Sequence, residues 1–147
     1  MNLTLRAAAK PEDHNAIASL IAELAASTGE TTPITAEYVR QYLEFPGSNI
    51  LVAILDQQVV GLLSYSLRPN LYHARNSCTI EELIVAQPFR SRGIGGALLE
   101  EFLRQLSEQD CVEVSVTTMP DNHGAIAFYK SHGLIDEAIY LEKHFRE

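Results

Sequence analysis

The eight residues Arg90-Ser91-Arg92-Gly93-Ile94-Gly95-Gly96-Ala97 combine two arginines with three glycines, where an apolar strand pattern gives way to a helical one. In such a turn the backbone N–H groups point at the space before the helix, and the unpaired amides and the positive end of the helix dipole favour an anion there. Glycine removes the Cβ that would keep a phosphate from the backbone, and Arg90 and Arg92 add charge-assisted donors. The chemistry this predicts is phosphate binding. A Walker loop is excluded, because the Gly-Lys-Ser/Thr ending is absent. A dinucleotide fingerprint fails because Leu98 stands where its third glycine belongs, and because the preceding strand comes too late for an opening βαβ unit.

The surrounding pattern predicts the elements that hold this turn. Leu3 and Leu5 alternate with polar residues as in a short strand. Ile17, Leu20, Ile21 and Leu24 give a helix from Pro11 to Ala26, with Asp13 capping or charging its first turn. Tyr38, Val39, Tyr42 and Leu43 mark a second, short helix ended by Pro46-Gly47. Asn49 to Leu55 and Val59 to Leu67 read as a hairpin around Asp56-Gln57-Gln58, with Gly61 marking a bulge or a close backbone approach. Arg68 to Asn76 reads as a loop, Cys78 to Val85 as the strand before the glycine turn, and Val112, Val114 and Val116 as a further strand. A last helix runs from Asn122 to about His132, Gly133 ends it, and Tyr140 to Phe145 completes the pattern as a final strand.

Composition sets outer bounds. The 147 residues fit one domain, 1–147, and 46% hydrophobic against 20% charged residues supports a buried core. A formal charge of -8 argues against a nucleic-acid partner, since that affinity comes from clustered Lys and Arg, and favours a cationic substrate. With no run near the roughly 18 apolar residues of a membrane span and no leader pattern, the expectation is a cytoplasmic protein without a membrane partner. Cys78 and Cys111 belong to no metal-spaced pair and read as buried, reduced thiols; no metal site is expected.

With Arg90, Gly93 and Gly95 in place, the turn resembles the cofactor signature of the GCN5-related N-acetyltransferase (GNAT) family: Arg or Gln, two residues, Gly, any residue, then Gly or Ala. A second family signature follows in order, an Asn that opens a helix with Ala three and Tyr seven residues on, matched by Asn122, Ala125 and Tyr129 beside Phe128. The resemblance covers essentially the whole chain. It implies an α/β (α+β) fold: a central mixed, mostly antiparallel twisted sheet of six to seven strands flanked by four helices, whose splayed strands form a slot for coenzyme A. It further implies acetyl-CoA as donor, a small-molecule amine as acceptor, and a homodimer. On this resemblance the Leu83-Ile84-Val85 segment offers backbone groups to the pantetheine, and Asn122, Ala125 and Phe128 join Arg90 to Ala97 around the cofactor.

The resemblance also implies roles. An alkylamine has a pKa near about 10 and must lose a proton before it attacks, so a base is needed. Glu81 or Glu82 fits that place, with Glu81 favoured, acting through water. Successive strand residues face opposite sides, so both carboxylates share one space only if the strand is bulged. Family members that carry the carboxylate earlier on this strand have it where this chain has Thr79. Tyr129 matches the tyrosine that returns a proton to the departing thiolate. Acetylation of a protein N-terminus or lysine, and a catalytically silent acyl-CoA-binding module, are the competing readings.

Overall fold

The computed structural model describes residues 2–146. Its order is β1 (Leu3–Ala7), α1 (Pro11–Ala26), α2 (Ala36–Glu44), β2 (Ser48–Leu55), β3 (Gln58–Asn70), β4 (Arg75–Val85), α3 (Ile94–Ser107), β5 (Cys111–Val116) and α4 (His123–Ser131), with a single 3-10 turn at Gln87–Phe89. The sheet runs β1-β2-β3-β4-β5. The first four strands pair antiparallel and β5 joins β4 in parallel, the mixed, mostly antiparallel sheet with four helices that the family resemblance implies.

Alternating side chains feed two cores. On one face, Leu63, Tyr65, Cys78 and Ile80 pack under α3 through Ile94, Leu98, Leu99 and Phe102, and Phe128 and Tyr129 of α4 close over the same cluster. On the other face, Leu62 and Ile84 meet Ile17 and Leu20 of α1 and Val39 of α2. Each buried aliphatic or aromatic side chain contributes on the order of 1.5–3 kcal/mol, so this two-sided burial fixes which way every strand residue points.

The register shifts at three places, once between β4 and β5 after Asn76 and twice at the bulges that shape β3 and β4. In β3, Ala53 pairs with Gly61 and Ile54 with Val59, so Val60 is the extra residue. Gly61 also has the close approach its position suggests: a Cβ there would lie 3.1 Å from the Ile84 carbonyl oxygen and 3.3 Å from Leu98 Cδ1. In β4, Ser64 pairs with Glu82 and Tyr65 with Ile80, which makes Glu81 the extra residue.

Three expectations are corrected. The sheet has five strands among the described residues, not six or seven, because Tyr140 to Phe145 forms no strand. The expected loop Arg68 to Asn76 is mostly strand, narrowed to a turn at Leu71 to Ala74. Pro69 is tolerated because β2 has ended at the level of Ser66, so its missing N–H faces an open edge. Cys111 is only half-buried; Cys78 is the buried thiol, and burial pushes its pKa up to about 12, far from nucleophile range.

Candidate active site

Pairing between β4 and β5 stops at Ile80 and Val116, yet β4 continues to Val85. From Glu81 onward, the edge of β4 that faced β5 has no strand neighbour among the described residues, so its backbone N–H and C=O groups are open to a guest. The Glu81 bulge sits at the point where the two strands part.

That bulge also turns Glu81 and Glu82 onto the same face, the one carrying α1 and α2. Ser66 Oγ donates to Glu81 Oε1 at 2.9 Å. Ser64 Oγ donates to Glu82 Oε1 and accepts from the Glu82 N–H at 2.9 Å. Glu81 is exposed and Glu82 half-buried. Burial raises the Glu82 pKa and the neighbouring Glu81 charge adds to the rise, against the Ser64 hydrogen bond that lowers it. Tyr42 of α2 faces the pair; its buried hydroxyl lacks a hydrogen-bond partner among the described residues, and burial, then the Glu82 and Glu81 charges, push its phenol up to about 12.

A groove of about 560 Å³ extends from this point along β3 and β4, lined by Ser66, Arg68, Asn70, Tyr72, Ser77 and Thr79 among others. Ser64, Ser66 and Arg68 share its face, each about 7 Å from the next along the strand. Among the described residues Arg68 makes no ion pair with a carboxylate. Thr79, one step before the glutamates on the same face, has its hydroxyl 3.4 Å from that of Ser115.

The glycine turn leads into α3 on a left-handed Gly93, with φ +82°, preceded by Ser91 at φ +64°. The first helical hydrogen bond is Ala97 N–H to the Gly93 carbonyl at 3.0 Å, and no side chain caps the turns before it. The amides of Ile94, Gly95 and Gly96 therefore face outward beside Gly93, where an added Cβ would meet nothing within 4 Å. This cradle fits a phosphate group. Arg92 lies over the Phe89 ring at 5.4 Å. Arg90 is turned inward: its Nε donates to the Val85 carbonyl at 2.8 Å and its Nη2 to Glu23 at 2.9 Å, and Glu23 also accepts from the Gln87 N–H at 2.9 Å. Arg90 thus ties the turn to the end of β4 and to α1.

Across the sheet, Tyr129 is half-buried, packed edge-on against Phe128 at 5.2 Å, and burial raises its phenol pKa. Asn122 uses its side chain to cap α4, accepting from the Ala125 N–H at 3.1 Å, while His123 is exposed. His73 sits in the β3–β4 turn, 3.8 Å from Glu113. The fold thus gathers Glu81 and Glu82 with the groove on one face and the glycine turn and Tyr129 on the other, with the β4–β5 opening between. Sequence reasoning missed Tyr42, Ser64, Ser66 and Glu23. The serines left a trace, alternating with buried residues in an otherwise apolar strand; Glu23 left none, since its partners lie more than sixty residues away.

The strands β4 and β5 thus part beside an uncapped helix start, with two carboxylates near the parting. The sequence model of the Acetyltransferase (GNAT) family matches residues 17–134, and the chain belongs to that family. It is accordingly an N-acetyltransferase, acting on amines. The chain is 26% identical over 138 residues to the aminoalkylphosphonate N-acetyltransferase of Salmonella typhimurium, covering 94% of this chain and 85% of that one. It is 29% identical over 115 residues to the L-2,4-diaminobutyric acid acetyltransferase of Nocardia farcinica, covering 71% of this chain and 58% of that one. Among solved structures it superposes on an aminoglycoside acetyltransferase from an uncultured soil metagenomic sample with a TM-score of 0.82 at 21% identity, covering 99% of this chain and 96% of the other. No helix among the described residues is long and apolar enough to cross a membrane.

Proposed function

We propose that the chain transfers the acetyl group of acetyl-CoA directly to the primary amine of a small molecule that also carries an anionic group. The observation that carries this reading is the Glu81 bulge, which opens the β4 edge and brings two carboxylates to that opening. Acetyl-CoA, when bound, supplies the acetyl thioester. The amides of Ile94, Gly95 and Gly96 hold its pyrophosphate, with Arg92 within reach, and the backbone of Leu83 to Val85 takes the pantetheine amides. The Val85 carbonyl already accepts from Arg90, which leaves Leu83 as the freer partner.

Glu82 takes the ammonium proton, directly or through water. Its raised pKa supports it over Glu81, since a carboxylate nearer the operating pH is the better base. Glu81 holds the substrate ammonium. Tyr129, on the opposite face, gives its proton to the departing thiolate. The Arg68 guanidinium, one step beyond Ser66, receives the acceptor's anionic group. Two of the chain's relatives are named for acceptors of this kind, an aminoalkylphosphonate and L-2,4-diaminobutyric acid. The proposed setting is the cytoplasm.

Thiol release from acetyl-CoA across a panel of amines tests this. Turnover should be highest with aminophosphonates or amino acids bearing a side-chain amine. Glu82→Gln and Tyr129→Phe should each lower kcat by about a hundredfold or more, the usual range for a lost general acid or base, whereas Arg68→Ala should raise the KM of anionic acceptors alone. Binding of acetyl-CoA without turnover on any amine would favour a silent binding module, and full activity of both variants would remove their assigned roles.

A further inference from the structure

We infer that the Tyr42 hydroxyl is a positioning group for Glu82: it donates to Ser64, whose own hydroxyl donates to Glu82, and this chain holds the carboxylate ready for the incoming ammonium. The inference rests on the reading of Glu82 as the base. Tyr42 lies near the end of α2, and its ring packs on the apolar cluster of Ile17, Leu20, Val39, Ile50, Leu62 and Ile84. Its hydroxyl is shut off from solvent and is the one buried side-chain oxygen or nitrogen without a hydrogen-bond partner among the described residues. An orphaned buried hydroxyl costs free energy that phenylalanine, of nearly the same shape, does not incur. Packing therefore does not account for a tyrosine at this position.

Ser64, beside it, has room for one more hydrogen bond. Ser64 is 3% exposed; its Oγ donates to Glu82 Oε1 and accepts from the Glu82 N–H at 2.9 Å. A hydroxyl offers one donor and two acceptor positions, so Ser64 has used its donor and keeps one lone pair free. Tyr42 is a donor without an acceptor. Burial, then the Glu82 and Glu81 charges, push its phenol up to about 12, and the hydroxyls of Ser64 and, less strongly, Ser48 act in the opposite sense. The phenol therefore keeps its proton at neutral pH and can donate it in a hydrogen bond. Of the two serines, Ser64 is the one that leads on to a carboxylate.

Closing that contact links the Tyr42 O–H to the Ser64 O–H and on to Glu82. Each bond in such a chain polarises the next, so Ser64 becomes a stronger donor when Tyr42 donates to it. Donation to a carboxylate favours its charged form, which is the form that can take a proton from the ammonium. The chain thus opposes the burial that raises the Glu82 pKa and keeps the base unprotonated until substrate arrives. Glu81 is the further charge acting on both groups; β2 and β3 present the uncharged Ser48 and Ser64, and α1 the apolar Ile17 and Leu20.

The carbon-13 resonance of the Glu82 carboxyl and the pH profile of kcat/KM both read the chain. In Tyr42→Phe the Glu82 titration should move to higher pH. On the acid side of the profile kcat/KM should fall about threefold to tenfold below wild type, which is what one hydrogen bond contributes, and the deficit should shrink as pH rises. The melting temperature should hold or rise, since the substitution removes an unpaired hydroxyl. Ser64→Ala should shift the titration at least as far, and adding Tyr42→Phe to it should change nothing more. A Glu82 titration that stays in place in Tyr42→Phe, an additive double variant, or a lowered melting temperature in Tyr42→Phe overturns the inference. Glu82→Gln separates this failure from that of the base. If Glu82→Gln loses activity while the Tyr42→Phe titration stays in place, Glu82 remains the base and the chain alone fails. If Glu82→Gln keeps wild-type activity, the base is elsewhere and the inference falls with it.

Discussion

At the start of α1 the chain carries its own anion. Asp13 is 1% exposed, its carboxylate accepts from the N–H groups of Ala9 and Lys10 at 3.2 Å each, and Arg6 pairs with both oxygens at 2.8 and 3.1 Å. At the start of α3 there is no such group: Gly93 has no side chain, and the first turn has no acidic residue. α2 and α4 resemble α1, using Thr35 and Asn122 as caps. A cap contributes about 1 kcal/mol. α3 does without one because Ile94, Leu98, Leu99, Phe102 and Leu106 are all buried, so tertiary packing holds the helix. The helix with the deepest anchorage is thus the one whose first amides have no side-chain cap, whereas α4, with no buried residue, keeps its cap.

The comparison breaks first at Asp13. Asp13→Ala strands Arg6 without its partner and uncaps two amides, and should cost about 3 kcal/mol, the lower end for a broken buried pair because Arg6 is partly exposed. Denaturant unfolding measures it, and acetyl-CoA affinity should hardly change. The same carboxylate makes a pH signature. The Arg6 hydrogen bonds, opposed by burial, hold the Asp13 pKa at about 2, against an ordinary 3.8. A depressed pKa stabilises the fold above the unfolded value, so this contribution, about 2 kcal/mol at roughly 1.4 kcal/mol per unit, is complete above pH 5 and disappears as pH falls from about 4 to 2. Asp13→Ala should flatten that part of the stability profile; an unchanged acid transition would show that other carboxylates set it.

The α3 start should respond the opposite way. At Gly95 an added Cβ would meet only Val85 Cγ2, at 3.9 Å, so Gly95→Val keeps the fold while adding bulk beside the open amides. Its dissociation constant for acetyl-CoA should rise roughly tenfold, about 1.4 kcal/mol, with stability unchanged within about 1 kcal/mol. Gly95→Ala, which the family pattern accepts, is the control and should bind nearly as wild type. Gly93→Val is less informative, since at φ +82° any branched residue is strained whether or not a ligand is near. Calorimetric titration separates the two variants, and equal affinities would move the pyrophosphate away from these amides.

The contrast also marks what the sequence made legible. Glycines and arginines at Arg90 to Gly96 marked the turn that opens α3 without a side-chain cap, because local backbone freedom is written in residue type. The bounds of α1 were equally clear from apolar spacing and Pro11. The bulge at Glu81 was foreseeable only as a condition, since a single extra residue in β4 depends on how Ser64 and Tyr65 align opposite it. Tyr42 read as one more apolar position on a short helix, although α2 delivers its hydroxyl to the glutamates. The final strand failed for a different reason: Tyr140 to Phe145 has the right pattern, but strand formation needs a partner edge, and pattern alone does not supply one.

Glu23 offers the finest division of the α3 start into brace and ligand site. It accepts from Arg90 and from the Gln87 N–H, and so holds the turn from the α1 side. If Arg90 acts as a brace, Glu23→Ala loosens the turn and weakens acetyl-CoA binding by about threefold, which is what an exposed ion pair contributes at the upper end. If Arg90 instead serves the pyrophosphate, the same substitution frees Nη2 from its competing carboxylate and removes a negative charge, and binding tightens. The hydrogen bond from Arg90 Nε to the Val85 carbonyl favours weakening, because it keeps the guanidinium facing β4 even when Glu23 is gone. The sign of the change in dissociation constant for acetyl-CoA therefore assigns Arg90 to one role or the other.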